Sequence, residues 1–386
     1  MIYFDNNATT QLAAPVLDAM RGVLDECYGN PSSAHEMGRR SGVIVKKARE
    51  QVAALLGAAH AEEVVFTSGG TESDNWAILG ALESQPEKNQ IITTRVEHEA
   101  VKRTCEKLEN KGFAVTWIDV DEDGQLDLAA LENALSDKTA VVSAMMANNE
   151  TGVLFPIDEI GRIVKEKSSA LFHVDGVNAV GKTPIYLKAT EVDLFSLSGH
   201  KFYGPKGIGA LYIRKGVELP SMFLGGGQEM GRRAGTPAVH QIAGLGCAAE
   251  FVSDLSSTDK IREMRDRLEN EILAAVPDTY INGARDKRLP NTTSISFENT
   301  NGEMIMAKLD TAGVCVSTGS ACHTQDHRAS SVLEAMNIPY ARAMGAIRFS
   351  LGRFNTRAEV DRVVELVSAI INDLRKLGGN YETKTV

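Results

Sequence analysis

Strand-like and helix-like segments alternate along this chain from about residue 42 to residue 213, and that rhythm restricts the fold more than any other feature. Ile44, Ala48, Val52 and Leu55 fall on one helical face, and residues 64–66 follow as a short apolar strand. Further strand-like runs stand at 90–94, 113–118, 140–144, 171–174, 194–196 and 210–213. Helix-like runs at 76–82, 128–135 and 157–165 lie among them. Helices between strands favour parallel pairing, because a parallel connection needs a long crossover. The expected fold is therefore α/β, with a mostly parallel central sheet flanked by helices on both faces. The last strands run closer together, which predicts antiparallel pairing there.

The polar stretch 253–258 predicts a boundary. Beyond it, a long helix at 259–276, strands at 292–297 and 314–317, and helices at 303–309 and 359–374 predict a smaller α+β domain. Segment 378–386 is polar and expected to be a mobile tail. At 386 residues and 41.7 kDa, with 43% hydrophobic residues, the chain is long enough for two cores. A net charge of −10 and a pI of about 5.4 argue against a nucleic-acid partner. No signal peptide or membrane-length apolar run is visible, so no membrane partner is expected. Five cysteines without a CxxC pair offer neither a zinc site nor a redox dithiol, and unpaired thiols suit a reducing cytoplasm.

Two motifs carry the chemistry. Lys201 sits in the small-residue loop Ser198-Gly199-His200-Lys201-Phe202-Tyr203-Gly204, and Asp175 ends the apolar run Phe172-His173-Val174-Asp175. A lone lysine is most often a surface group and a strand-end acid a turn former. Together they match what pyridoxal phosphate demands: an amine to hold its aldehyde as a Schiff base, and a carboxylate to pair with its protonated pyridine nitrogen. Ser68-Gly69-Gly70-Thr71 lies between a strand and a helix opening near Thr71, a turn that welcomes a phosphate. Neither GxGxxG nor a Walker lysine is present, so nucleotide readings lack their fingerprint. His98 and the pair Asn148-Asn149 follow the strands at 90–94 and 140–144. Ligand crevices lie beyond the carboxyl ends of such strands, so these residues should converge with Asp175. On its own His98 reads as a helix-start residue and the asparagines as turn formers. Cys322, in the loop Gly319-Ser320-Ala321-Cys322-His323, has the small polar neighbours that an accessible nucleophilic thiol needs. Cys247 and Cys315 suit a core and a strand, and Cys27 and Cys105 sit in plainer surroundings.

These stretches, with Tyr3-Phe4-Asp5-Asn6-Asn7-Ala8-Thr9-Thr10, Gly231-Arg232-Arg233-Ala234-Gly235-Thr236 and Ile347-Arg348-Phe349-Ser350, resemble the cysteine desulfurases of the NifS/IscS kind. Those are fold-type I pyridoxal phosphate enzymes of the class V aminotransferase group, and the similarity runs in order along nearly the whole chain. The resemblance implies a large cofactor-binding domain at 15–255, and a small domain of 1–14 plus 256–386 that carries the Cys322 loop. It implies Lys201 as the Schiff-base lysine, Asp175 at the pyridine nitrogen and His98 over the ring face. Gly70, Thr71, Ser198 and His200 are implied to hold the phosphate, with Thr236 reaching in from the partner subunit of a homodimer. Asn178 stands where relatives carry glutamine beside the ring hydroxyl. Asn149 is implied to touch cofactor and substrate, and Arg348 to grip the substrate carboxylate fork on fork.

The implied reaction converts L-cysteine to L-alanine. The freed lysine takes the Cα proton, and Cys322 as thiolate attacks the substrate sulfur to form a persulfide. A free thiol with a pKa of roughly 8.5 is only slightly ionised near neutrality, so a local shift or a relay through His98 is required. His323 is a candidate helper, although a solvated loop histidine is the plainer reading. Sulfur would pass to an iron–sulfur scaffold or another acceptor protein. No resident metal is implied, and Cys322 is a contact for a transferred iron–sulfur cluster. The Cys322–Arg348 spacing matches the long-loop group, whereas residues 323–330 depart from its usual pattern and leave the acceptor open. Competing readings are a selenocysteine lyase, another lyase or aminotransferase on the same fold, and a non-catalytic sulfur-assembly scaffold.

Overall fold

The computed structural model describes residues 1–318 and 329–382, so Cys322 and His323 lie outside the described residues. In chain order the first elements are β1 (Ile2–Tyr3), α1 (Ala14–Glu26), α2 (Glu36–Leu56), β2 (Val64–Thr67), α3 (Gly70–Glu83), β3 (Gln90–Thr94) and α4 (Glu99–Glu109). There follow β4 (Ala114–Ile118), α5 (Leu128–Ala134), β5 (Thr139–Met145), α6 (Ile157–Lys167), β6 (Leu171–Asp175), β7 (Leu194–Ser198), β8 (Gly209–Ile213) and α7 (Val239–Ser253). The remainder is α8 (Ser257–Ala275), β9 (Thr279–Ile281), β10 (Thr292–Phe297), α9 (Gly302–Thr311), β11 (Val314–Cys315), α10 (Ser331–Ala335), α11 (Tyr340–Ala343), β12 (Ala346–Ser350) and α12 (Arg357–Glu382).

Seven strands form the central sheet in the order β2-β8-β7-β6-β5-β3-β4. Neighbours from β7 through β6, β5 and β3 to β4 pair in parallel, while β8 runs antiparallel to both β7 and β2. The antiparallel end was expected, and its cause is length. The connection 199–208 is shorter than the dozen or so residues a parallel crossover needs. Every residue of β5 is buried, which is why it reads as a continuous apolar run rather than an alternation. α3 is buried nearly all round, with Trp76, Ala77, Ile78 and Ala81 in the core beside the polar Ser73 and Asp74.

A second core gathers around the antiparallel sheet β12-β10-β9. Ile261, Leu268 and Ile272 of α8, Ile305 and Leu309 of α9, and Val360, Val363 and Val367 of α12 pack there against Ile295, Phe297, Ile347 and Phe349. Phe4 joins this cluster, because β1 pairs in parallel with β11. The strand expected at 314–317 ends at Cys315, since its partner β1 is only two residues long; Ser317 merely bridges to Arg348. The tail expected from 378 is helical as far as Glu382, so α12 continues through Gly378 and Gly379 despite the cost of about 1 kcal/mol that each glycine carries in a helix.

Candidate active site

A cavity of about 140 Å³ opens beyond the carboxyl ends of the central strands, where an α/β sheet is expected to bind its ligand. Five of the seven strands contribute to it. The turn after β2 supplies Gly70 and Thr71, the segment after β3 supplies His98, and that after β5 supplies Asn149. β6 brings Asp175 and then Asn178, and β7 brings Ser198, His200 and Lys201. The sequence reading thus placed eight of its positions, besides Lys201, on one wall or another of the same space.

Lys201 occupies the turn after β7, where its Nζ donates to the carbonyls of Asn7 at 2.6 Å and Ala8 at 3.1 Å. Burial, and then the nearby Arg348 guanidinium, push its ammonium pKa down to about 8. A far larger neutral fraction is therefore available near neutrality than for an exposed lysine. The turn is held open by Tyr203, a non-glycine residue at φ 67°. Its N–H donates to Thr10 Oγ1 at 2.6 Å, and its hydroxyl accepts from the Arg353 N–H at 2.7 Å.

His98 is the N-cap of α4, and its Nδ1 accepts from the Ala100 N–H at 3.2 Å. The bond fixes the neutral tautomer with hydrogen on Nε2, so the helix-start role and the cavity role coexist in one ring. The two asparagines divide their labour. Asn148 Oδ1 accepts from the N–H groups of Glu150 and Thr151, both at 2.9 Å, and forms the turn, whereas Asn149 lines the cavity.

Asp175 is buried at the end of β6, with Oδ1 accepting from the Val177 N–H at 2.9 Å. Burial raises its pKa, and the neighbouring His98 ring, the Val177 N–H and the Lys201 ammonium act against that rise. At the far end, α3 starts at Gly70 with no side-chain cap, so its first N–H groups face an anion-sized space. A side chain at position 70 would displace Val177, because a Cβ there would lie 2.6 Å from Val177 Cγ2. Glu72 braces this turn: its carboxylate accepts from Ser68 N at 2.7 Å and from Arg233 Nε at 2.9 Å. Burial would raise the Glu72 pKa, but the bonds to Arg233 and Ser68 hold it below the usual range. His200 points a buried Nδ1 that has no hydrogen-bond partner among the described residues, and burial beside Lys201 pushes its pKa down to about 4.

Arg348 stands on β12 and adjoins the cavity through Asn149 instead of lining it. Its Nη1 donates to the Asn149 carbonyl at 3.0 Å and its Nη2 to Asp5 Oδ1 at 2.7 Å, while the buried Nε has no partner among the described residues. Thr236 lies elsewhere, exposed and lining a surface cavity with Tyr28, Asn30 and His240. Cys105, which looked unremarkable in sequence, is fully buried, and burial drives its pKa to about 12. Cys247, expected in a core, is only half-buried; burial raises its pKa and that of Cys315.

Several participants escaped the sequence reading. Lys182 Nζ donates to Asn178 Oδ1 at 2.9 Å and thereby turns the Asn178 amide, whose Nδ2 donates to the Asn148 carbonyl at 3.3 Å. Burial, together with Lys201 and Arg348, pushes the Lys182 pKa well down. Asp5, the partner of Arg348, and Asp74, a cavity residue on α3, were also unassigned. The buried Glu150 accepts from the Ser330 hydroxyl at 2.5 Å, and burial raises its pKa to about 7. The available signal was polarity inside otherwise apolar or glycine-rich stretches, which does not by itself say where a side chain points.

Comparison with known proteins identifies a family and its relatives. The family model for class-V aminotransferases matches residues 2–363. A cysteine desulfurase from a Nostoc species is 51% identical over 98% of this chain and 94% of its own length. The cysteine desulfurase NifS of Azotobacter vinelandii is 47% identical over 97% of this chain and 94% of its own. Among solved structures, a NifS-like protein superposes with a TM-score of 0.91 at 41% identity, covering 97% of this chain and 100% of that one. SspA in complex with cysteine superposes with a TM-score of 0.82 at 34% identity, covering 92% of this chain and 100% of that one.

Proposed function

The chain belongs to the class-V aminotransferase family, and from that membership we propose that it is a cysteine desulfurase which uses pyridoxal phosphate to convert L-cysteine to L-alanine. One observation carries the reading: an amine of lowered pKa, a buried carboxyl and an uncapped helix start face one cavity. The cofactor fits those groups. Asp175 suits a protonated ring nitrogen, Lys201 suits an aldehyde, and the start of α3 with the His200 Nδ1, unpartnered among the described residues, suits a phosphate. Gly70, Thr71, Ser198, His200, Asn149 and Asn178 would complete the hold on it.

When bound, pyridoxal phosphate supplies an electrophilic aldehyde and a ring that accepts the electron pair from the substrate Cα. The chain's own groups do the rest. Arg348 binds the substrate carboxylate, its buried Nε having no partner among the described residues. Lys201 Nζ takes the Cα proton and returns it, a task for which a pKa of about 8 is well matched. His98 holds a proton at Nε2 for the substrate. Cys322 as thiolate attacks the substrate sulfur. The new S–S bond forms as the C–S bond breaks, its electron pair stays with carbon, and that carbon is then protonated to give alanine. Burial raises the pKa of Cys105, Cys247 and Cys315, which favours Cys322 over those three.

The persulfide then goes to an acceptor protein for iron–sulfur cluster assembly. A second copy of the chain supplies Thr236 to the phosphate end, a role supported by its exposure away from its own cavity. The division into a large domain at 15–255 and a small domain of 1–14 plus 256–386 places Arg348 and Cys322 together on the smaller part. No described helix is long and apolar enough to cross a membrane, and we assign the enzyme to the cytoplasm. The cofactor is tested by adding pyridoxal phosphate to cofactor-free chain, reducing with borohydride, and mapping the product. The expected label is on Lys201 and absent from Lys201→Ala; a label elsewhere would remove the reading's foundation.

A further inference from the structure

Beside Asp175 lie two buried side chains, His173 and Asp74, to which the reaction assigns nothing. His173 and Asp175 are two apart on β6 and so share one face of the sheet. Asp74 meets them from α3. His173 is unexposed, with Nδ1 2.9 Å from Ser143 Oγ and Nε2 3.0 Å from Ser196 Oγ. Two hydroxyl partners satisfy a neutral ring, and burial pushes the His173 pKa down to about 3. Asp74 Oδ1 is 3.6 Å from His173 Nε2, too far for a hydrogen bond to a nitrogen that Ser196 already engages. The contact is therefore not an ion pair.

Asp74 is 1% exposed, and its Oδ1 has no hydrogen-bond partner among the described residues. It lines the same cavity as Asp175. The titratable groups that face this pair are His173 from β6, Glu97 from the segment after β3, and His98 and Lys201 across the cavity. Burial, then the charges of Asp175 and Glu97, hold the Asp74 pKa well above the carboxylate range, and the Ser196 hydroxyl offsets only part of this. A buried carboxylate with an unpartnered oxygen and no cation of its own is a costly arrangement, whereas a protonated carboxyl is not.

We propose that Asp74 is a neutral positioning residue that carries the proton of the Asp74–Asp175 pair, leaving Asp175 as the single anion facing the cofactor's ring nitrogen. Two carboxyls at one site cannot both ionise readily, and the one beside the neutral His173 keeps the proton. The site then presents one negative charge to one positive charge. The inference rests on the pyridoxal phosphate reading for the role of Asp175, but the charge of Asp74 can be read without the cofactor.

The test uses Asp74→Asn and Asp74→Ser, either of which suffices if it folds, beside Asp175→Asn. Pyridoxal phosphate affinity of the cofactor-free chain is measured by fluorescence titration. Asp175→Asn should weaken it about a hundredfold, and the Asp74 variants by no more than about threefold. Thermal midpoints of the cofactor-free chains are then followed from about pH 5 to about pH 9. A carboxyl whose folded pKa is raised stabilises fully below its unfolded value near about 3.9, and that stability is lost as pH rises toward the folded value. Removing Asp74 removes that loss, so both variants should decline less steeply with pH than the natural chain. An Asp74 variant that loses tenfold or more in affinity, or keeps the natural slope, overturns the proposal. A natural chain that binds no pyridoxal phosphate would sink the functional reading instead, and the slope would still decide the charge of Asp74.

Discussion

Lys201 and Arg348 show how far a single side chain can be read from the string of letters. The Lys201 loop announced an unusual lysine, but its pKa near 8 arises from burial and from Arg348, which is remote in sequence. An amine attacks an aldehyde only when neutral. The rate at which cofactor-free chain captures pyridoxal phosphate should therefore rise with pH to about 8 and level off above it. Stopped-flow absorbance across that range measures this, and a plateau that begins only near the ordinary lysine value would contradict it. Arg348 offers a planar fork, already spanned by Asp5 and the Asn149 carbonyl. Arg348→Lys loses the fork and should raise the KM for L-cysteine by about tenfold or more, with a smaller change in kcat. Lys182 and Asp74 stayed hidden because nothing local distinguishes a buried polar side chain from a solvated one. Only the folded chain buries Lys182 beside Lys201 and Arg348 and brings Asp74 to His173.

Elements were legible in proportion to their length and periodicity. β3, β5, β6, β7 and β8 lie where apolar runs predicted them, because central strands are buried on both faces. Short pieces such as β1 and β11 carry too few residues for any pattern, and they exist because the two chain segments pair with each other. The turn after β6 shows how an element's end fixes chemistry. Gly176 follows Asp175, and a Cβ there would fall 1.8 Å from Phe195 Cζ, inside a ring that is itself buried. Gly176→Ala must move Phe195 or the end of β6. It should destabilise by about 1–3 kcal/mol, with weaker cofactor binding as Asp175 shifts. Chemical denaturation measures the first effect, and a variant as stable as the natural chain would show that the packing yields more easily than the geometry implies.

At the scale of the whole molecule, the site is assembled where the two cores meet. Arg348 comes from the sheet β12-β10-β9 and Asp5 from the chain's start, while the cavity belongs to the central sheet. The α/β rhythm and the strand-end rule predicted that His98 and Asn149 meet Asp175, but not that Asp74 joins them, and the sequence could not say which buried groups are neutral. Glu97 illustrates the consequence. Burial drives its pKa to about 8, with Oε1 accepting from Thr94 at 2.7 Å and from the Met145 N–H at 2.9 Å. A raised folded pKa means stability that is present below the unfolded value of about 4.3 and lost as pH climbs toward 8. Glu97→Gln should therefore raise the thermal midpoint more at pH 8 than at pH 5. Equal shifts at both would mean that the carboxyl is already ionised.

The most direct measurement of the central claim is a product count. Purified chain is given L-cysteine, and alanine is quantified against sulfur trapped by alkylation and located by peptide mass spectrometry. The account predicts equal alanine and sulfur, with the extra sulfur on Cys322 and no persulfide in Cys322→Ala, which still binds the cofactor. Bound cofactor with no alanine, or sulfur carried on another cysteine while Cys322→Ala remains fully active, would contradict it.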